Sequence, residues 1–137
     1  MMYTIIFQGL LSESVLQNII GAKKYSDDVI LSTWKNQNDK KLLKILINNN
    51  IKIIELDDPG TIISFKQRGN NFYFNIKRHL YGISEAAKIS KHEFIIKCRC
   101  DLYLDFNKFF KIYKASNRKI GALNWVSVNP NKFLSLP

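Results

Sequence analysis

Cysteine and histidine are scarce in this sequence, with two residues of each among 137. Cys98 and Cys100 lie two positions apart on one predicted strand, where a disulfide between them would be strained. Their thiols could form a zinc site only with distant partners, and just two imidazoles are available. The chain is therefore predicted to be a reduced protein without a disulfide framework.

Long apolar runs are also lacking. No stretch approaches the ~20 apolar residues that a membrane-spanning helix needs. Residues 1–8 lack the basic start of a secretory signal and turn polar after one strand length. These absences predict a cytoplasmic protein with no transmembrane segment.

Acidic residues are absent after Asp105, and the whole chain carries a formal net charge of +10. The basic residues that follow Asp105 are Lys108, Lys111, Lys114, Arg118, Lys119 and Lys132. This excess fits an anionic partner, which could be a nucleic acid, a phosphorylated glycolipid or the anionic inner face of a membrane, where the protein would lie peripherally. A basic face that is merely solvated explains it equally well.

Strand-like and helix-like segments alternate along the chain. Predicted strands occupy residues 3–8, 28–34, 51–56, 93–101 and 119–125, and predicted helices start at Ser12, Asp39, Tyr73 and Phe106. Residues 61–71 are predicted to be an exposed loop. Strands separated by helices favour a mostly parallel sheet covered on both faces, within one α/β domain over residues 1–137.

Polar residues follow the carboxyl ends of these predicted strands. They are Gln8 and Gly9, then Ser32, Thr33 and Trp34, then residues 57–60 with Asp57 and Asp58, then Arg99 and Asp101. Ligands of open α/β sheets bind outside the carboxyl ends of the strands. The convergence predicts a nucleotide cleft, although each group taken alone is as typical of a turn.

The segment 93–101 carries the strongest of these signals. Period-two alternation predicts one face with Lys97, Arg99 and Asp101 and the other with Cys98 and Cys100. A guanidinium and a carboxylate at a strand end suit a phosphate-bearing ligand, with or without a divalent metal. Solvated charges at a strand end are the simpler interpretation.

The predicted helix at residues 73–90 adds a second signal. Asn75, Arg78 and Gly82 are spaced to share one side, opposite an apolar stripe. The stripe consists of Ile76, Leu80, Ile83 and Ala87. A glycine inside a helix costs ~1 kcal/mol relative to alanine, so Gly82 indicates close packing or a close ligand. Arg78 could hold a diphosphate bidentately, or simply be an exposed arginine.

Together these residues resemble the WavE-type lipopolysaccharide-synthesis family of bacterial glycosyltransferases over residues 4–125. The matching segments are Phe7-Gln8-Gly9, Leu31-Ser32-Thr33-Trp34, Asp58-Pro59-Gly60, Asn75-Ile76-Lys77-Arg78, Gly82 and Ile96-Lys97-Cys98-Arg99-Cys100-Asp101-Leu102. The family usually continues with Gln where His79 stands here. The resemblance implies a GT-A-like, Rossmann-type three-layer α/β/α nucleotide-sugar domain. Related enzymes have an Asp-x-Asp motif where this chain keeps only Asp101.

The resemblance implies transfer of a sugar from a nucleotide-sugar donor to a glycan or lipid-linked acceptor. It assigns Arg78 and Arg99 to the diphosphate, and Asp101 to Mg²⁺ or Mn²⁺ or else to the ribose hydroxyls. Gln8, Ser32 and Trp34 would line the nucleoside pocket, and Asp58 would contact base or ribose. The catalytic base stays unassigned, with Glu85 and His79 available. Family members are longer, so the chain is expected to be their donor-binding half.

Two other classes of protein remain open. One is an inactive fragment or interaction domain that keeps the fold, with residues 133–136 as a partner surface. The other is a basic nucleic-acid-binding module with aromatics among lysines. Against the second, the aromatics fall at core-like positions and no RRM, KH or zinc pattern occurs.

Overall fold

The computed structural model describes residues 2–67 and 69–116, without the side chains of residues 63–67, 71, 72 and 113–116. The strands are β1 (Tyr3–Gln8), β2 (Asp28–Trp34), β3 (Lys52–Leu56), β4 (Ile62–Gln67), β5 (Asn70–Phe74) and β6 (Phe94–Arg99). The helices are α1 (Glu13–Gly21), a short 3₁₀ helix (Ala22–Lys24), α2 (Lys40–Asn48), α3 (Ile76–Lys88) and α4 (Phe106–Ser116). One compact unit ends at Phe106 and a second begins at Asn107. The sheet and the site described below belong to the first.

Four strands form a parallel sheet in the order β3-β2-β1-β6. The chain runs outward from β1 to β3 and then returns across β1 to β6. Because such crossovers are right-handed, α1 and α2 cover one face and α3 covers the other. The direction reverses between β1 and β6, and ligands of such sheets bind at this switch point. The predicted α/β class with a mostly parallel, Rossmann-like sheet is confirmed.

The core lies on both faces of β1 and β2. On the α3 face, Ile6 and Ile30 are fully buried against Ala86. On the opposite face, the ring of Phe7 meets Phe106 edge-on, with 6.2 Å between ring centroids. Apolar runs in both central strands therefore reflect a sheet that is buried from two sides.

The amino ends of the strands are tied by a buried carboxylate. Asp28 is 2% exposed and accepts hydrogen bonds from Thr4 Oγ1 and from the Lys91 backbone N–H, both at 2.7 Å. The ammonium of Lys52 lies 2.7 Å from its other oxygen. These contacts join β1, β2, β3 and the loop before β6, at the edge of the sheet away from the candidate site.

The prediction of an exposed loop at residues 61–71 is wrong. This region contains β4 and β5, which pair antiparallel as a separate two-stranded sheet. Gly69 lies between them with a positive φ of 80°, which a glycine adopts without steric cost. Because residues 73 and 74 belong to β5, α3 begins at Ile76 and not at residue 73.

The predicted apolar stripe on α3 is correct only in part. Ile83 is partly buried against the core cluster and Ala87 is half-buried. Ile76 and Leu80, in contrast, are 52% and 63% exposed. Gly82 and Ala86 are the buried residues of α3. These small side chains allow the backbone of α3 to come close to the sheet on the side where they lie. Gly82 therefore faces the sheet and does not lie opposite the buried side.

The fifth strand predicted at residues 119–125 lies outside the described residues. Among the helices of the described part, none is long and apolar enough to cross a membrane.

Candidate functional site

Two buried polar side chains join the carboxyl ends of β1 and β2 to α3. Gln8 Nε2 donates to the carbonyl oxygens of Arg78 at 2.6 Å and His79 at 3.1 Å. Ser32 Oγ donates to the carbonyl oxygen of Gly82 at 2.9 Å. Gln8 is 6% exposed and Ser32 fully buried. Both were predicted to line a nucleoside pocket. Their hydrogen bonds show that they position the first turns of α3.

The approach between β1 and α3 depends on Gly82. A Cβ atom at this position would lie 2.2 Å from Gln8 Nε2 and 3.2 Å from Ser32 Oγ. Of the two explanations for a glycine inside this helix, close packing therefore accounts for it.

The guanidinium of Arg78 is held in a fixed orientation beside the turn after β3. Its Nε donates to Asp58 Oδ1 at 2.7 Å and its Nη2 to Asp58 Oδ2 at 2.5 Å. Nη1 donates to Asn75 Oδ1 at 3.0 Å. The hydrogen bonds from Arg78, together with one from the Gly60 N–H, lower the pKa of Asp58 to about 2. A bidentate arginine of this kind is preorganised and keeps its charge.

A second bidentate pair follows β6. Arg99 Nε donates to Asp101 Oδ1 at 2.8 Å and Nη2 to Oδ2 at 2.5 Å. Gln8 and Arg99 are register partners, and the Cys100 N–H donates to the Gln8 carbonyl at 3.0 Å. The end of β6 therefore lies directly beside the end of β1.

The predicted alternation along this strand is confirmed, since Lys97, Arg99 and Asp101 are exposed while both cysteines are buried. Burial raises the pKa of Cys98 and of Cys100 to about 12. Thiols with such pKa values are poor nucleophiles and metal ligands near neutral pH.

His79 lies between the two arginine pairs. Its Nδ1 is 3.5 Å from Lys97 Nζ. Partial burial, followed by the charges of Lys97 and Arg99, lowers the pKa of His79. Partial burial, followed by the charge of Arg99, also lowers the pKa of Lys97. Neither residue received a role from the sequence, because the contact joins helix and strand residues that are 18 positions apart.

Trp34 and Asn38 lie at the same carboxyl edge of the sheet, at the end of β2 and in the loop that follows it. The Trp34 side chain is 6% exposed at the end of β2. Asn38 accepts from the Leu11 N–H at 2.9 Å and from Thr33 Oγ1 at 3.1 Å, and donates to the Trp34 carbonyl at 2.9 Å. Asn38 thus ties together the loops that follow β1 and β2, a function that no local sequence pattern indicated.

The surroundings of Asp101, the expected ligand of Mg²⁺ or Mn²⁺, do not suit a divalent ion. Both carboxylate oxygens of Asp101 accept from Arg99. Across residues 2–67 and 69–116, no group of three or more His, Cys, Asp or Glu residues could hold a metal. A Mg²⁺ or Mn²⁺ site usually needs several oxygen ligands, so we derive no chemistry through a metal.

Comparison with known proteins gives one match. The model of the family described as WavE lipopolysaccharide synthesis matches residues 20–125, which are 106 of the 137 residues. Neither the comparison with curated proteins nor that with solved structures gave a match. The matched range includes the Asp58–Arg78 and Arg99–Asp101 pairs and leaves Gln8 outside. This chain belongs to the WavE lipopolysaccharide synthesis family.

Proposed function

We propose that this chain is the donor-binding part of a glycosyltransferase that uses a nucleotide-sugar in the synthesis of lipopolysaccharide or another surface glycan. The observation that carries the proposal is the preorganised guanidinium of Arg78, fixed by Asp58 and Asn75 at the carboxyl edge of a parallel sheet. Membership of a lipopolysaccharide synthesis family supports the proposed pathway, and a parallel α/β sheet is suited to binding a nucleotide.

The chemistry of such a transfer requires fixed cations. When the glycosidic bond to the nucleotide breaks, negative charge develops on the departing diphosphate. Donors that are already oriented stabilise this charge without reorganising during the reaction. Three N–H groups of Arg78 bind Asp58 and Asn75, out of the five that a guanidinium carries. Arg78 can therefore stay in place while it also contacts a phosphate.

The other residues then take distinct roles. Arg99 would contact the diphosphate and Asp101 the ribose hydroxyls, and Trp34 and Asp58 would border the nucleoside. Gln8 and Ser32 would act through α3, because their hydrogen bonds fix the turns that carry Arg78. We assign no catalytic base.

The acceptor would be a glycan or a lipid-linked sugar, and the enzyme would work at an anionic membrane surface. Two features support this location. The net charge of +10 favours an anionic surface. Exposed apolar residues also lie on α3, namely Ile76, Leu80 and Tyr81.

Thermal unfolding with UDP, CDP, GDP and ADP tests the proposal. A ligand present at one hundred times its dissociation constant stabilises the folded state by about 2.7 kcal/mol, which is a readily measured rise in Tm. We expect one nucleotide to raise Tm, and Arg78→Gln to reduce the rise. Lys44→Gln, on α2 across the sheet, removes one charge elsewhere and should leave the rise intact.

Two results would contradict the proposal. If no nucleoside diphosphate raises Tm, an inactive fragment or interaction domain becomes the better explanation. If single-stranded RNA binds with strong salt dependence and no nucleotide does, the basic surface serves nucleic acid.

A further inference from the structure

Lys97 and His79 form a basic pair at the switch point between β1 and β6. Lys97 is the register partner of Ile6, so its side chain emerges on the face that α3 covers. His79 is in the first turn of α3, and its Nδ1 lies 3.5 Å from Lys97 Nζ, where it can accept a hydrogen bond from the ammonium. Ligands bind at this position in related sheet architectures.

No direct ion pair balances the charge of Lys97 in the part of the chain that the structure describes. Neither Lys97 nor His79 has a carboxylate oxygen within 4.0 Å among the ion pairs of these residues, and the charge of Asp101 acts on both only as a minor effect. Arg78 and Arg99 each already pair with a carboxylate, although both keep further N–H groups for a phosphate. The charge of Lys97 is not compensated by such a pair, and a ligand can compensate it.

The surroundings of Lys97 and His79 penalise the charged forms of both groups. Partial burial lowers the pKa of both groups, and the charges of Lys97 and Arg99 add to the effect at His79. An anion placed against both nitrogens would reverse this penalty, because an opposite charge favours the protonated form.

The position of His79 is fixed at a cost. Gln8 uses its NH₂ group to hold the Arg78 and His79 carbonyls, while its Oε1 is buried with no hydrogen-bond partner in the described part of the chain. A buried acceptor without a partner is unfavourable, because it has lost its hydrogen bonds to water. The fold therefore accepts an unfavourable group where it holds the helix turn that carries Arg78 and His79.

We propose that Lys97 and His79 together bind the diphosphate of the nucleotide, as a phosphate-binding pair separate from Arg78. The inference rests on the proposed function and names two residues for its diphosphate. One phosphate group can accept from both, since charge-assisted N–H···O bonds of about 2.7–2.9 Å can converge on it from nitrogens 3.5 Å apart. Lys97 supplies an ammonium donor. His79 Nδ1 accepts from this ammonium in the structure and becomes a second donor once the ring is protonated, which a neighbouring anion favours.

Calorimetric titration of inorganic pyrophosphate and of the four nucleoside diphosphates tests the pair. Lys97→Met keeps most of the unbranched apolar side chain and removes its charge, and Lys44→Met makes the same change on α2. We expect Lys97→Met to weaken both kinds of ligand about tenfold or more, in line with the loss of one charge-assisted contact. Lys44→Met should change the affinities less than twofold. Thermal melts without ligand check that each variant folds.

The outcomes separate this inference from the proposed function. Nucleotide binding that is unchanged in Lys97→Met would overturn the pair and leave the nucleotide site standing. Pyrophosphate binding that depends on Lys97, with no nucleoside diphosphate bound, would support the pair and overturn the nucleotide function. Absence of binding by every probe would overturn both.

Discussion

Gly82 of α3 approaches Gln8 of β1 so closely that a Cβ atom at position 82 would lie 2.2 Å from Gln8 Nε2. Alanine is favoured over glycine in a helix by about 1 kcal/mol. Overpacking of this kind typically costs 1–3 kcal/mol. Because the amide of Gln8 is anchored on two carbonyls, the clash should win. We predict that Gly82→Ala lowers the free energy of unfolding by about 1–2 kcal/mol in urea denaturation.

Gly21 offers a matched control at the end of α1. A Cβ atom there would meet nothing within 4 Å, so Gly21→Ala should be neutral or mildly stabilising. Adding Gln8→Ala to Gly82→Ala should recover part of the loss, because it removes the clashing amide. Equal effects of the two glycine substitutions would show that position 82 is not crowded.

The Asp58–Arg78 pair makes the free energy of unfolding depend on pH in the acidic range. The folded-state pKa of Asp58 is about 2, below the ordinary value of 3.8 for an aspartate. A carboxyl with a lowered pKa contributes stability that is present above pH 3.8 and is lost as pH falls toward 2. With a discount for its partial exposure, we expect a contribution of about 1 kcal/mol. Asp58→Asn should remove this part of the acid dependence, measured by urea denaturation between pH 5 and pH 2.

The neighbouring Asp57 provides the comparison for this experiment. Its side chain is 82% exposed and pairs with Lys35 at 2.9 Å. Exposed pairs of this kind contribute little, so Asp57→Asn should leave the stability profile nearly unchanged. A profile that Asp58→Asn does not alter would mean that the bidentate pair contributes nothing to folding.

The central sheet could be predicted from the sequence because burial on both faces leaves a local signature. Continuous apolar runs placed β1 and β2 at the residues that form them. The hairpin of β4 and β5 was missed because its polar tip, around Lys66 and Gln67, resembles a loop. The apolar and aromatic residues on either side of this tip indicated the two strands better than the tip itself indicated a loop.

The site was predictable in outline and not in its contacts. Sequence patterns brought polar residues to one sheet edge, yet they could not show that Asp58 and Arg78, 20 residues apart, form one pair. They also misjudged α3, because apolar periodicity indicated Ile76 and Leu80 while packing followed Gly82 and Ala86. Close approach between backbones depends on small residues, which apolar periodicity does not detect.

The affinity of the proposed pair of Lys97 and His79 for phosphate should depend on pH through the protonation of His79. In the unliganded protein, burial and then Lys97 and Arg99 lower its pKa below 6.5, against a smaller opposing effect of Asp101. A bound anion favours the protonated ring, so binding takes up a proton and tightens as pH falls through this range. The probe also gains protons there, so the informative quantity is the ratio of the association constants of wild type and His79→Gln. We predict that calorimetry with pyrophosphate shows this ratio rising several-fold from pH 7.5 to pH 5.5, whereas a constant ratio would mean that His79 does not contact the phosphate.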